Sequence, residues 1–514
     1  MKNPTTALNL WVIATAAVLG ACSGESVTDP VGTSHQTNPD TTSVAPDTTT
    51  NPGSDDPGSP TQHVGYFVSP QGTSGGDGSE AHPWDMSTAF AGGNGKIQPG
   101  DTVWIHGGSY TGVYRSAVSG TVSKPVVFRG YPNERATLDG RLRLDGSDVV
   151  VWGFEIMRTS QGTTEYPNLE ARGPRQKLIN MVIHESEHQG IRFWDEAVDA
   201  EMYGCIVYNN GTHENLDHGT YVHNVAGTKL IMDNVFFNNL AYGIHVYVSP
   251  GEGSQKNIHV IGNVSFNNGT ISTRYAAKGN ILIGGEQPGE GHQAIDNMTF
   301  FSGNAGVNMR LGFVSENKDV IATGNTIWGG ATAFMIGKWS SAQVKNNTIG
   351  GSADIVNLND SPDGYTWSGN QYFRAASAAA WKASAGTSLT LDDWKRTTGL
   401  GGSDALVGTL PSGTKVFVRP NKYEKGRGMV VVYNWGKDGS VRADLSNVLR
   451  NGQRYEVRNV QDLFGAPVAS GTYSGGTVTL PMTGVNAPAR IGRSTPTPPK
   501  TGPDFDTFVV VPIS

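Results

Sequence analysis

The chain has 514 residues, more than one ordinary domain holds unless the fold is a long repeat. Its net charge of −7 and lack of any basic run exclude a nucleic-acid binder, although local clusters could still meet a polyanionic glycan. Glycine is abundant at 68 residues and only 16% of the chain is charged, a balance that favours short strands and positive-φ corners over helices.

In chain order, Met1-Lys2 and the apolar run Leu8 to Leu19 have the form of a secretory signal, too short for a membrane span. The run ends Leu19-Gly20-Ala21-Cys22, which resembles a bacterial lipobox, so residues 1–22 are expected to be a lipoprotein signal with Cys22 lipidated. Ser23 follows, not the Asp that marks inner-membrane retention, so a secreted or cell-surface location on the outer membrane is expected. Residues 23–63 are Thr, Ser, Pro, Asp and Asn with almost nothing to bury, the composition of a disordered tether. Cys205, flanked by Gly204 and Ile206, reads as a small buried hydrophobe.

Residues 64–375 are expected to form one repeat domain. Tyr66-Phe67-Val68 opens it, and a short helix is predicted near Met86 to Ala91. Then one phrase recurs: Leu178-Ile179-Asn180-Met181-Val182, Asp233-Asn234-Val235-Phe236-Phe237-Asn238-Asn239, Gly262-Asn263-Val264-Ser265-Phe266-Asn267-Asn268 and Asp296-Asn297-Met298-Thr299-Phe300. Gly324-Asn325-Thr326-Ile327 and Asn346-Asn347-Thr348-Ile349 continue it. A strand, an Asn or Gly corner and a second strand per period describe a solenoid coil, whose apolar row is buried only by stacking. The expected fold is all-β: a right-handed parallel β-helix followed by a small antiparallel β-sandwich. Residues 376–410 read as a capping connector, with Thr390 as the N-cap of a helix and Asp393 reaching back to it. Residues 411–514 alternate as five strands and form the sandwich, which reads as a packing module.

One stretch concentrates chemistry. Gly190-Ile191-Arg192-Phe193-Trp194, Gly219-Thr220-Tyr221-Val222-His223, Gly243-Ile244-His245-Val246-Tyr247 and Gly306-Val307-Asn308-Met309-Arg310 share one frame. With period-2 alternation, Tyr221 falls over His245 and His223 over Tyr247 if these are successive rungs. Arg192, Trp194, Tyr221, His223, His245, Tyr247, Asn308 and Arg310 then share one exposed face, and the long insertions 212–218, 249–256, 271–278 and 285–293 wall it.

The capped start, the repeated Asn phrases and the groove loops resemble the pectate-lyase-like superfamily of right-handed β-helices. Asp217-His218-Gly219 is similar to the Asp-Pro-His signature of mannuronan epimerases, without the proline. The resemblance implies polysaccharide lyases, uronan epimerases, glycoside hydrolases or non-enzymatic adhesins. On this face β-elimination of a uronate polymer would use Arg310 or Arg192 to neutralise the carboxylate, His245 or His223 as base and Tyr221 or Tyr247 as acid. Asp217 would orient His218 or His245, and Arg192, Trp194, Asn308, His218 and Asp217 would bind substrate. A polysaccharide lyase acting as a monomer on an acidic polysaccharide is the expectation, with a glycoside hydrolase as the main alternative. Asp195, Glu214 and Asp217 are candidate calcium ligands.

Overall fold

The computed structural model describes residues 63–159, 166–213, 215–384, 387–493 and 495–513. The expected signal, Cys22 and all but the last residue of the tether lie outside them, as does Glu214.

Coils of parallel strands stack along one axis. A twelve-stranded sheet takes one strand per coil in chain order, from Tyr66–Val68 to Tyr365–Ser368. Two further ladders run beside it. One passes through Val182–His184, Ile206–Tyr208, Val235–Phe237, Val264–Phe266 and Met298–Phe300. The other passes through Leu169–Ala171, Ile191–Phe193, Thr220–Val222, Ile244–Val246, Gly279–Ile283 and Val307–Leu311. Inward positions such as Leu178, Met202, Ile231 and Val260 on the first face and Ile191, Val222, Ile244 and Ile281 on the third fill a continuous core. Each such aliphatic side chain contributes about 1.5–3 kcal/mol on burial. Parallel pairing continues past residue 375: Val356 pairs with Trp381 and Gln371 with Ala405.

Two short helices form where the sequence predicts them. Met86–Phe90 is helical, with the Asp85 carboxylate accepting from the Thr88 N–H at 2.7 Å. Leu391–Thr398 is helical too: Thr390 Oγ1 accepts from the Asp393 N–H at 3.2 Å and donates to Asp393 Oδ2 at 2.8 Å.

The asparagine phrases are the internal seam. Asn234, Asn263, Asn297, Asn325, Asn347 and Asn370 form a buried file, each amide donating to the next side-chain carbonyl until Asn370 reaches Asp404. Asn297 Oδ1 also accepts the Asn263 backbone N–H at 3.0 Å, and its amide donates to Val260 O at 2.9 Å. Asn297→Ala strands several buried polar groups at once and is expected to cost at least about 3 kcal/mol, read as a lower urea midpoint. An unchanged midpoint would mean that the file fills space without bonding.

Downstream, a five-stranded and a two-stranded antiparallel sheet form the sandwich. Its strands Thr414–Pro420, Gly428–Asn434, Arg454–Asn459, Thr477–Pro481 and Phe505–Pro512 cover the expected five, and Ser440–Asp444 and Ala469–Thr472 are additional. It packs on the outer side of the second ladder, where Tyr208, Phe237 and Phe266 stack with centroids 4.9 and 5.0 Å apart. Phe505 stacks on Phe300 at 4.6 Å, and Tyr433 Oη donates to Thr299 O at 3.1 Å. Arg419 pairs with Asp233 and Tyr423 Oη donates to Glu201, at 2.7 and 2.6 Å, along the rim of that contact.

Candidate active site

The third ladder builds the site. Arg192, Tyr221, His245, Leu282 and Arg310 occupy one register column on successive rungs, so their side chains leave the same face about 4.8 Å apart. Tyr221 lies beside His245 as the shared frame predicts. The glycines that open these rungs are there for space. A Cβ at Gly190 would meet Asn210 Nδ2 at 2.7 Å, at Gly219 Asn239 Nδ2 at 2.7 Å, and at Gly243 Asn268 Nδ2 at 2.6 Å. A second asparagine file, Asn210–Asn239–Asn268, presses against them and continues through Asn280 to Asn308.

Aromatic and basic groups converge on this column. The His218 and His245 rings lie 3.9 Å apart, and His245 stacks on Tyr247 at 4.7 Å and on Tyr242 at 4.9 Å. Tyr221 reaches both His245 and Tyr247, at 5.6 and 6.4 Å, and Trp194 meets it edge-on at 6.5 Å. Trp194 Nε1 donates to Glu170 Oε1 at 2.6 Å. Arg310 Nε donates to Gly312 O at 3.1 Å, with its guanidinium 4.5 Å from the Phe313 ring, which in turn packs against Tyr247.

Burial sets the protonation states. It drives His218 well below the usual imidazole range, helped by the neighbouring His245, and holds His245 at about 3, helped by Lys278. Both rings are therefore neutral in ordinary buffers. His218 Nδ1 accepts the Tyr242 N–H at 3.2 Å, which puts its proton on Nε2. Burial and the Glu252 carboxylate push Tyr221 up to about 12, and burial with a bond to Glu286 raises Tyr247, so both phenols keep their protons. Burial and the Arg310 charge lower Lys278.

Several expected residues sit elsewhere or act differently. Asn308 is fully buried in the asparagine file, donating to Trp328 O at 2.8 Å, so it is structural rather than substrate-facing. It shares the parity of Arg310, but the corner folds over that end of the strand. Asp217 orients neither His218 nor His245; its carboxylate contacts His188 Nδ1 and accepts the Thr212 and His213 N–H groups at 2.7 and 2.6 Å. Fully buried, it offers no surface to a sugar. His223 makes no ring contact with Tyr247 among the described residues. It is buried beside Lys229, whose Nζ donates to its carbonyl at 2.7 Å, and burial lowers its imidazole. His245 is a poor base because burial makes its lone pair weakly basic.

The frame also passes over useful groups. Lys278, Tyr242, His188, Glu252 and Glu286 all bear on the column, and Glu252, Lys278 and Glu286 come from insertions predicted to wall the groove. Adjacency to a rung-opening glycine was the available signal for Tyr242 and Lys278, as it was for His218. Calcium does not fit at Asp217, whose oxygens face N–H donors rather than a cation, and no grouping of three His, Cys, Asp or Glu among the described residues is arranged to hold a metal ion.

Pectate lyase L of Thermoclostridium stercorarium is 22% identical over 291 residues, 52% of this chain but only 23% of that protein's length. The crystal structure of pectate lyase Pel9A aligns at 16% identity and a TM-score of 0.40, covering 64% of this chain and 82% of that one. A GH136 lacto-N-biosidase from Eubacterium ramulus aligns at 14% identity and a TM-score of 0.43, covering 66% and 68%. The pattern described as the Pel9A-like, right-handed β-helix region matches residues 66–334 of the 514, and the chain belongs to that family.

Proposed function

We propose that the protein is a polysaccharide lyase that cleaves a uronate-containing polysaccharide by β-elimination, held at the cell surface by a lipid on Cys22. The observation that carries this reading is the composition of one trough: the guanidinium groups of Arg192 and Arg310 and the amine of Lys278 around two protonated phenols and two neutral imidazoles. Arg310 pairs with the substrate carboxylate, which acidifies the adjacent C–H. Lys278, as free amine, takes that proton on its lone pair; the C–H bonding pair left behind forms the C=C bond as the C–O bond to the leaving sugar breaks. Tyr247 or Tyr221 gives its proton to the leaving oxygen. His218 and His245, uncharged, form the floor beneath the phenols.

The reading fixes a pH dependence. A lysine base is active only when deprotonated, so kcat/KM rises with pH, and its lowered pKa moves that limb below the ordinary lysine range. The rate falls again only as the phenols ionise, in the region of 12 for Tyr221. A pH–rate profile with its rising limb near an ordinary imidazole value would remove Lys278 from the base role.

A second reading, hydrolysis, has one feature in its favour. Glu252 and Glu286 act on Tyr221 and Tyr247 from two separate insertions and would be its carboxyl pair. A panel of uronate polymers separates the possibilities. Elimination gives an ultraviolet-absorbing unsaturated end with each new reducing end; reducing ends without absorbance mean hydrolysis. Solvent deuterium entering an uncut chain means epimerisation, and binding alone means an adhesin.

A further inference from the structure

Arg192 is fixed by an unusual set of local contacts. Its Nε donates to Gln189 Oε1 at 2.9 Å, and its NH2 lies 2.9 Å from His188 Nε2. A guanidinium N–H can only donate, so His188 Nε2 must accept and the ring proton must sit on Nδ1. There it meets the Asp217 carboxylate. Asp217 is itself fully buried and locked by the backbone N–H groups of Thr212 and His213 in the next coil. The chain of contacts therefore has one direction: Thr212 and His213 fix Asp217, Asp217 fixes the tautomer of His188, and His188 with Gln189 fixes the guanidinium. Arg192 stands in register one rung before Tyr221 and two rungs before His245.

We infer that Asp217 and His188 are positioning residues that aim Arg192 as a second carboxylate receptor, several sugars along the groove from the uronate held at Arg310. Two guanidinium groups four rungs apart, about 19 Å, with Tyr221, His245 and Leu282 between them, match a polymer that carries an acid on more than one residue rather than a lone acidic sugar. This rests on the uronate part of the proposed function and not on elimination as such.

The test compares His188→Ala with His188→Gln, because a glutamine can accept from Arg192 through its carbonyl and donate to Asp217 through its amide. Both are measured on oligogalacturonate or oligomannuronate and on the methyl-esterified oligomers, for turnover and, separately, for binding by calorimetry. His188→Ala is expected to weaken binding of the free acids and raise KM by about 10- to 100-fold, with kcat changed much less. The esters, which offer no carboxylate, are expected to lose less than about threefold, and His188→Gln to recover most of the acid binding. Equal losses on acid and ester, or a glutamine variant as impaired as the alanine, would show a structural role and overturn the inference. Wild-type protein that binds no uronate oligomer also overturns it. Wild-type protein that binds the acids in a His188-dependent manner but hydrolyses them leaves the inference standing and removes the lyase reading.

Discussion

Lys278→Met is expected to lower kcat for elimination by about 10³-fold while leaving KM for a uronate polymer within a few-fold. The argument is one of available basicity. Among the groups of the trough, His218 and His245 are buried so completely that their lone pairs take up protons only in strong acid, and the phenols are held protonated. Lys278 is the group whose free amine becomes accessible below its ordinary range, through burial and the nearby Arg310 charge. Methionine keeps the length and most of the volume of the side chain, so the fold is retained. His245→Gln, by contrast, keeps a neutral polar ring-sized floor and is expected to cost no more than about tenfold. Were the two losses reversed in size, the imidazole would be the base after all.

Arg490→Met is expected to destabilise the protein by about 3–5 kcal/mol. Arg490 comes from the sandwich yet is buried against the coil corner, where it donates to Gly211 O at 2.5 Å and lies 3.7 Å from the Glu185 carboxylate. Burial holds its guanidinium down to about 10, still charged at neutral pH, and burial raises Glu185 against the offsetting charge of Arg490. Removing the cation leaves the buried Glu185 carboxylate with the Asn209 amide but without the facing guanidinium, and Gly211 O without that donor. Glu185→Gln combined with Arg490→Met is expected to recover most of the loss, since no uncompensated charge then remains. A chemical-denaturation midpoint unchanged by Arg490→Met alone would show that the pair does not hold the corner.

What the sequence disclosed follows from where local and global constraints coincide. The asparagine phrases were legible because an Asn or Asp corner is a local conformational signal repeated once per coil: Asn180, Asp233, Asn267, Asp296 and Asn346 all take positive φ. The neighbouring of Tyr221 and His245 was legible because Gly219 and Gly243 open rungs of equal length. The next rung was not, because Gly279-Asn280-Ile281 inserts one residue before the inward Ile281, so Leu282 rather than a polar residue fills the column. Parity alone also places Asn308 with Arg310 and says nothing of the corner that folds over it. Asp217 and His188 are separated by 29 positions and meet only because an insertion closes on the loop of the preceding coil, which no period-2 pattern encodes.

The aromatic file Tyr208, Phe237 and Phe266 has a consequence for how this protein can be divided. Their rings, with Val235, Val264 and Met298, form one continuous apolar cluster shared with Met429, Val431, Tyr433 and Phe505. Cut from its C-terminal partner, the solenoid would present that strip to water as a broad sticky flank, the kind of surface that drives self-association. The two halves are thus one cooperative article of manufacture: a gene fragment ending at the last coil would yield clumps rather than a minimal catalyst, and a recombination event could trade the C-terminal half only for another that brings its own matching grease.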